Sequence, residues 1–322
     1  MKILLTCVGR RVELIEAFHS AAERLGVDLR VIGTDMQDSA PGMHFCDESF
    51  IAPPIRSEEY IPFLLSLCER EGVSCLIPTI DTDLLTLAEH KSNFESVGTK
   101  VLVGSPDKVK LCRDKSLTGE YFRSLGLTSP KSVVDVNEYK GPFPAFIKPK
   151  DGSSSINAYR ANTYEELLSY AERIDGYVIQ PFVSGREYTV DIFCDFDGNA
   201  VYITPRERLA VRSGEVLKTM ICQDDAIIEE MKRLVNDFKP SGQITVQLIK
   251  DEITGQNNYI EINPRFGGGA PLSIKAGADS AEALIRLLLG EKTEYVPYAA
   301  RDGEVYSRFD QSICTRVGKA RD

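Results

Sequence analysis

The densest chemistry in the sequence lies in Gln247 and in the run Glu261-Ile262-Asn263-Pro264-Arg265, which leads into Phe266-Gly267-Gly268-Gly269. On a strand, residues two apart share a face, so Glu261 and Asn263 point the same way. The pattern predicts strands over 243–250 and 258–263 joined by a polar turn at Thr254-Gly255, and as a hairpin these put Gln247 on that face too. Such a set offers oxygen ligands with a single negative charge. It suits Mg²⁺, with Mn²⁺ as a substitute, because a hard cation keeps waters and draws its remaining ligands from substrate phosphates. Arg265 then supplies a fixed cation for a phosphoryl or carboxylate oxygen. The glycines let backbone N–H groups approach an anion. The competing reading is a solvated hairpin with an incidental acid and a glycine-rich loop.

Two further groups are weaker alone. Lys148 ends an apolar strand and precedes Asp151-Gly152-Ser153-Ser154-Ser155, a small-residue turn able to close over nucleotide phosphates, although no Walker A pattern occurs. Surface lysines beside turns are common, and Lys115, at the start of a helix from Asp114, is equally plain. Gln180-Pro181-Phe182-Val183-x-Gly185-x-Glu187 could expose backbone to an adenine edge and set Glu187 against ribose hydroxyls. A simple Pro-Gly connection between strands fits that stretch as well. In the front of the chain, Gly9 and Asp35 echo a dinucleotide site but lack G-x-G-x-x-G. Asp81 and Asp83 follow a strand at the sheet edge where open α/β folds bind ligands, with Asp83 expected to act as a helix N-cap.

The elements that must carry these residues alternate at first. Strands are expected over 3–8, 29–33, 75–78 and 100–103, with helices through Val12 to Leu25, over 57–71, and through Leu84 and Ala88. That order requires a parallel sheet with right-handed crossovers. After Ser105-Pro106 the pattern changes to short helices, to about Leu111 and from Asp114 to Leu125. Strands follow over 145–149, 177–180 and 187–193, a capping box at Thr163/Glu166, a hairpin turn over 195–199, and a late helix over 281–289. The fold class is therefore α/β followed by α+β. The expected division is 1–105, 106–179, 180–290 and a tail over 291–322.

Composition narrows the function. The 322 residues are 43% hydrophobic and 27% charged, ordinary for a globular chain. Lys and Arg total 38 against 48 acidic residues, a net charge of −10, which argues against general nucleic-acid or anionic-membrane binding. No apolar run reaches the roughly 18 residues of a spanning helix, and the first, 3–8, is too short for a signal peptide. Eight scattered cysteines without a C-x-x-C pair read as reduced thiols of a cytoplasmic protein. Three distant histidines make a His-based zinc site or a Cys-His hydrolase improbable.

Taken in order, the motifs resemble the ATP-grasp superfamily, and within it the carbamoyl phosphate synthetase large-subunit-like proteins. Asp114-Lys115, Phe146-Ile147-Lys148-Pro149, Gln180-Pro181-Phe182-Val183, Gly185-Arg186-Glu187-Tyr188 and Glu261-Ile262-Asn263-Pro264-Arg265 carry the resemblance over residues 1 to 290. It implies a Rossmann-like pre-ATP-grasp domain followed by a two-part ATP-grasp fold. It also implies ATP phosphates on Lys115 and Lys148, covered by the loop of Ser153, Ser154 and Ser155. Adenine would meet Gln180, where the family usually has an acid, and the backbone of Phe182 and Val183, with ribose on Glu187. Magnesium would sit on Gln247, Glu261 and Asn263, and Arg265 would contact phosphate. The implied activity is a ligase that phosphorylates a small carboxylate and couples the acyl phosphate to an amine, with a homodimer allowed. Arg206, Arg208, Arg212 and Lys218 would face the acyl phosphate or form a solvated loop. The alternatives are a carbamoyl phosphate synthetase-like subunit acting on bicarbonate, a non-catalytic ATP-binding module, and an NAD-type oxidoreductase resting on 1–105.

Overall fold

The computed structural model describes residues 1–150 and 157–316. The turn containing Ser153, Ser154 and Ser155 lies outside the described residues. The front of the chain alternates as expected: β1 (Lys2–Thr6), α1 (Val12–Leu25), β2 (Arg30–Asp35), β3 (Glu48–Ile51), α2 (Tyr60–Glu71), β4 (Cys75–Pro78), α3 (Leu84–Glu89), α4 (Lys91–Ser96) and β5 (Lys100–Val101). The strands form one parallel sheet in the order β3-β2-β1-β4-β5. Such a sheet is covered on both faces, which is why its strands read as continuous apolar runs. Ile3, Leu5, Val31 and Ile77 pack under α1, while Leu4, Ile32 and Leu76 pack against α2 and α3.

Two helices, α5 (Pro106–Arg113) and α6 (Lys115–Ser124), lead into a small antiparallel sheet. That sheet contains β6 (Ala145–Pro149), β7 (Tyr159–Ala161) and, after α7 (Tyr164–Ala171), β8 (Tyr177–Pro181), in the order β7-β6-β8. Asp114 caps α6 by accepting from the N–H groups of Ser116 and Leu117. The capping box at α7 is half as expected. Thr163 accepts from the Glu166 N–H, but the Glu166 carboxylate reaches back to the N–H of Asn162, one residue earlier.

The largest sheet holds β9 (Gly185–Cys194), β10 (Ala200–Arg212), β11 (Glu215–Ile221), β12 (Gln243–Asp251), β13 (Asn257–Asn263) and β14 (Val305–Ser307), in the order β13-β12-β9-β10-β11-β14. Its β-period divides the side chains sharply. Val190, Ile192, Ile203 and Val246 pack against α8 (Asp225–Phe238). On the opposite face Thr189, Asp191, Arg206 and Thr245 are buried polar groups. The chain then closes on itself. Phe266 with residues of α9 (Ala270–Ala276) and α10 (Ser280–Leu288) joins the core under α1, and β14 completes the sheet edge. The Asp195–Asn199 stretch turns as expected, with Gly198 at φ +81°.

Two expectations are corrected. Residues 200–221 are a long hairpin rather than a charged loop, so the basic cluster divides. Arg206 and Arg208 share one face, whereas Arg212 is exposed beside Asp310 and Lys218 faces solvent. Asp83 occupies the position before α3 but its carboxylate makes no cap bond. Its backbone is helical (φ −94°, ψ −9°), which turns the side chain down into the sheet to accept from Thr6 Oγ1 at 2.7 Å and Tyr60 Oη at 3.1 Å.

Candidate active site

The hairpin of β12 and β13 builds the centre of the site. Gln247 lies directly opposite Glu261 in the ladder, and Thr245 opposite Asn263, so the alternation that buries Val246 and Ile262 turns these four polar residues to the other face. They line a cavity of about 310 Å³ with Arg206, Arg208, Arg265, the loop 267–269 and, from the front domain, Arg11 and Asp81. Asn263 donates to Glu261 Oε1 at 3.1 Å. Among the described residues, no Lys or Arg lies within 4 Å of the Glu261 carboxylate. A half-buried carboxylate held by one amide and flanked by two amide oxygens fits a hard cation. No group of three His, Cys, Asp or Glu side chains gathers elsewhere among the described residues.

Arg265 is fixed from two sides. Its Nη2 donates to Asp81 Oδ2 at 2.6 Å and its Nη1 to the Phe266 carbonyl, while Nε is buried without a partner. A second cavity of about 120 Å³ lies on the other flank of Glu261 and Asn263, lined by Asp81, Thr82, Cys112 and Lys115. Lys148 is 7% exposed, and burial lowers its ammonium to about 8, against the opposing attraction of Glu261; nearby Lys115 lowers it further. Burial of this kind leaves a cation in need of an anionic partner.

The structure brings Gln247, Glu261, Asn263 and Arg265 to one cavity and Lys115 to its neighbour, with Lys148 close enough to feel Glu261 and Lys115. The remaining group lies along β8 and β9. Gln180 is buried, donating to the Pro130 carbonyl at 3.4 Å. The Phe182 N–H is already used by the Pro144 carbonyl, and Arg160 stacks over its ring at 4.7 Å. Val183 is half-buried beside it. Glu187 is exposed and stands 3.3 Å from Arg208 Nε. Of the front-domain pair, Asp35 accepts from the N–H groups of Gly9 and Gln37, so both its oxygens serve the loop.

Sequence reasoning missed Arg11, Thr189, Thr245 and Glu215. Thr189 and Thr245 were detectable, since each is two residues from a named site residue on the same strand. Arg11 stands at the start of α1, where Gly9 (φ +43°) and Cys7 (φ +52°) turn the chain. It donates to the Thr79 carbonyl, and its guanidinium is destabilised first by burial and then by Arg265. Arg206 is 2% exposed; its Nε pairs with Asp191 at 2.7 Å and its Nη1 has no partner.

Residues 3–102 match a family model described as PylC-like, N-terminal domain, and residues 173–308 one described as ATP-grasp in the biosynthetic pathway with Ter operon. The chain carries an ATP-grasp fold. The biotin carboxylase domain of Hydrogenobacter thermophilus 2-oxoglutarate carboxylase, solved with MgADP, ADP and bicarbonate, superposes with a TM-score of 0.76 at 17% identity, over 94% of this chain and 73% of that one. The arginine-specific carbamoyl phosphate synthase large chain of Arabidopsis thaliana is 22% identical over 71% of this chain and 22% of its own length. The 3-methyl-D-ornithine–L-lysine ligase of Methanosarcina acetivorans is 24% identical over 89% of this chain and 75% of its own. The chain spans between about a fifth and a half of the length of the first curated relatives it matches. The two cavities flank the β12–β13 hairpin. No helix among the described residues is long and apolar enough to cross a membrane.

Proposed function

We propose that this chain is a Mg²⁺-dependent ATP-grasp ligase acting on small molecules. One substrate carboxylate takes the γ-phosphoryl group of ATP, and an amine then displaces phosphate from the acyl phosphate to form a C–N bond. The observation that carries the reading is the Gln247/Glu261/Asn263 oxygen set facing a cavity ringed by arginines. Binding adenine alone needs neither. Relatives and structural neighbours named above as ligases, synthases and carboxylases support the same reaction type.

Gln247, Glu261 and Asn263 would hold the metal, which when bound neutralises β- and γ-phosphate oxygens. The chain's own residues do the remaining work. Lys148 and Lys115 sit on the phosphate side, and the desolvated Lys148 interacts strongly with an arriving polyanion because little water competes. Arg265, held by Asp81, sets its guanidinium charge beside the transferring group. Ser153, Ser154 and Ser155 would cover the phosphates; Gln180, Phe182 and Val183 would meet adenine through the groups still open, and Glu187 the ribose. No protein nucleophile is required.

ADP release from Mg-ATP, measured across amino acids, other carboxylic acids and bicarbonate with and without amines, tests this directly. We expect release that depends on one acid and is lost in Glu261→Ala, with the fold unchanged by circular dichroism. Acid-dependent release undiminished in Glu261→Ala would remove the metal assignment. No ATP binding at all would overturn the reading.

A further inference from the structure

The large cavity contains charged groups that the proposed phosphoryl transfer leaves unused. Arg11 reaches in from the front domain and Glu215 from the start of β11, with Arg11 Nη1 and Glu215 Oε1 4.0 Å apart. That separation is beyond a hydrogen bond, so the two charges face one another without being joined. Arg11 is largely buried, with Arg265 and Arg308 opposing its charge and Glu215 and Asp81 supporting it, while Glu215 is half exposed and also meets Arg308 at 3.5 Å. A buried guanidinium beside other arginines gains from a further carboxylate. A carboxylate beside open solvent gains from an ammonium.

The glycine loop keeps this space open. A Cβ on Gly268 would lie 2.3 Å from Glu215 Oε2 and 2.7 Å from Arg11 Nη1, and one on Gly269 would lie 2.5 Å from Arg206 Nη2. Arg206, almost completely buried, lines the same cavity and has a buried Nη1 without a partner. Thus the pair is apposed across a gap that only a side-chain-free residue leaves clear.

We infer that Arg11 and Glu215 form a selectivity pair that binds the carboxylate and ammonium of a zwitterionic, amino-acid-like substrate. This rests on the ligase reading for its place in a reaction, but the recognition is independent of turnover. Arg11 takes the carboxylate, Glu215 takes the ammonium, and the substrate's remaining atoms extend along the cavity toward Glu261. Arg11 and Glu215 are specificity-determining residues, and the front domain thereby selects the substrate.

Calorimetric binding of the common α-amino acids, and of the amines that lack their carboxylates, to the full chain with Mg-ADP tests the assignment. At least one amino acid should bind the wild type at least tenfold more tightly than its decarboxylated amine. Arg11→Met should erase that discrimination. Glu215→Gln, an isosteric change at a half-exposed position, should weaken the amino acid about tenfold while leaving Mg-ADP affinity within twofold. Gly268→Ala should act like either by filling the gap. Failure of every amino acid to bind the wild type, or discrimination preserved in both charge variants, overturns the inference. Binding with these effects but no ADP release from Mg-ATP would sustain it and count against the ligase reading alone.

Discussion

Lys148→Met should make the ligand-free chain more stable while crippling its hold on ATP. The lysine is 7% exposed, and burial lowers it from 10.5 to about 8 despite the nearby Glu261. At 1.36 kcal/mol for each pH unit, that drop is roughly 3 kcal/mol, the cost of keeping the cation folded at neutral pH. Methionine keeps the stem and its packing without the charge, whereas alanine would add a cavity penalty. The sign with pH is definite. Below pH 8 the lysine is protonated in both folded and unfolded chains, and the cost is complete. Between 8 and about 10.5 the folded chain gives up the proton first, so wild-type stability rises relative to Lys148→Met and the gap closes. Urea unfolding at pH 7, 8.5 and 10 should show the variant ahead by up to about 3 kcal/mol at pH 7, and the two converging by pH 10. ATP binding should fall in the variant at pH 7, and in the wild type as pH passes 8. A variant less stable at pH 7 would refute the desolvation reasoning. An unaltered ATP affinity would refute the phosphate role.

Three further outcomes follow from the same geometry. Asp81→Asn should cut acid-dependent turnover about 10- to 100-fold, the loss of one charge-assisted bond to Arg265, with KM for ATP within about twofold; a KM effect alone would show that Asp81 acts elsewhere. Burial raises the Asp83 carboxyl to about 6, so the folded chain holds a proton the unfolded one has released between pH 4 and 6. Wild-type stability should therefore decline by about 3 kcal/mol as pH rises through that window, and Asp83→Asn should flatten the decline in unfolding titrations. Arg206→Met strands the buried Asp191 carboxylate and should cost about 3–5 kcal/mol in urea unfolding, with Arg206→Met/Asp191→Leu recovering part of it.

The front sheet was legible because its strands are buried on both faces and its helices repeat every three to four residues. The β12–β13 hairpin was legible because strand alternation fixes which side chains travel together, so spacing alone puts Gln247, Glu261 and Asn263 on one face. Between 200 and 242 the sequence shows a basic cluster but no clear strand. Its β10 strand ends in Arg206, Glu207, Arg208 and Arg212, a charge density that describes a loop until Asp191 and Thr189 on the neighbouring strand supply partners. The helix α8 did carry a signal, Asp224 as a cap followed by Ile227, Ile228, Met231, Leu234, Val235 and Phe238 on one side. Arg11 was invisible for a different reason. Its role depends on the packing of the front domain against the loop at Gly268, a contact between segments far apart in sequence. Asp83 was misassigned because the local rule for a helix start yielded to the hydroxyls of Thr6 and Tyr60.

The packing of Phe266, α9 and α10 against α1 bears on how the molecule is made. Residues 1–105 can pair their strands once they leave the ribosome, yet the outer face of α1 has no cover until Phe266 and the helices after it are synthesised. On the order of 240 residues separate Leu25 from Phe266, which at about 5–20 residues per second is roughly 10 to 50 s of elongation. For that interval the nascent chain presents an apolar helix face to its surroundings, and the cavity holding Arg11 lacks its Gly267–Gly269 wall. Completion of the site is therefore a late event, coincident with the burial of α1, and a chain stalled before Phe266 would present an apolar helix face beside a site that still lacks its glycine loop.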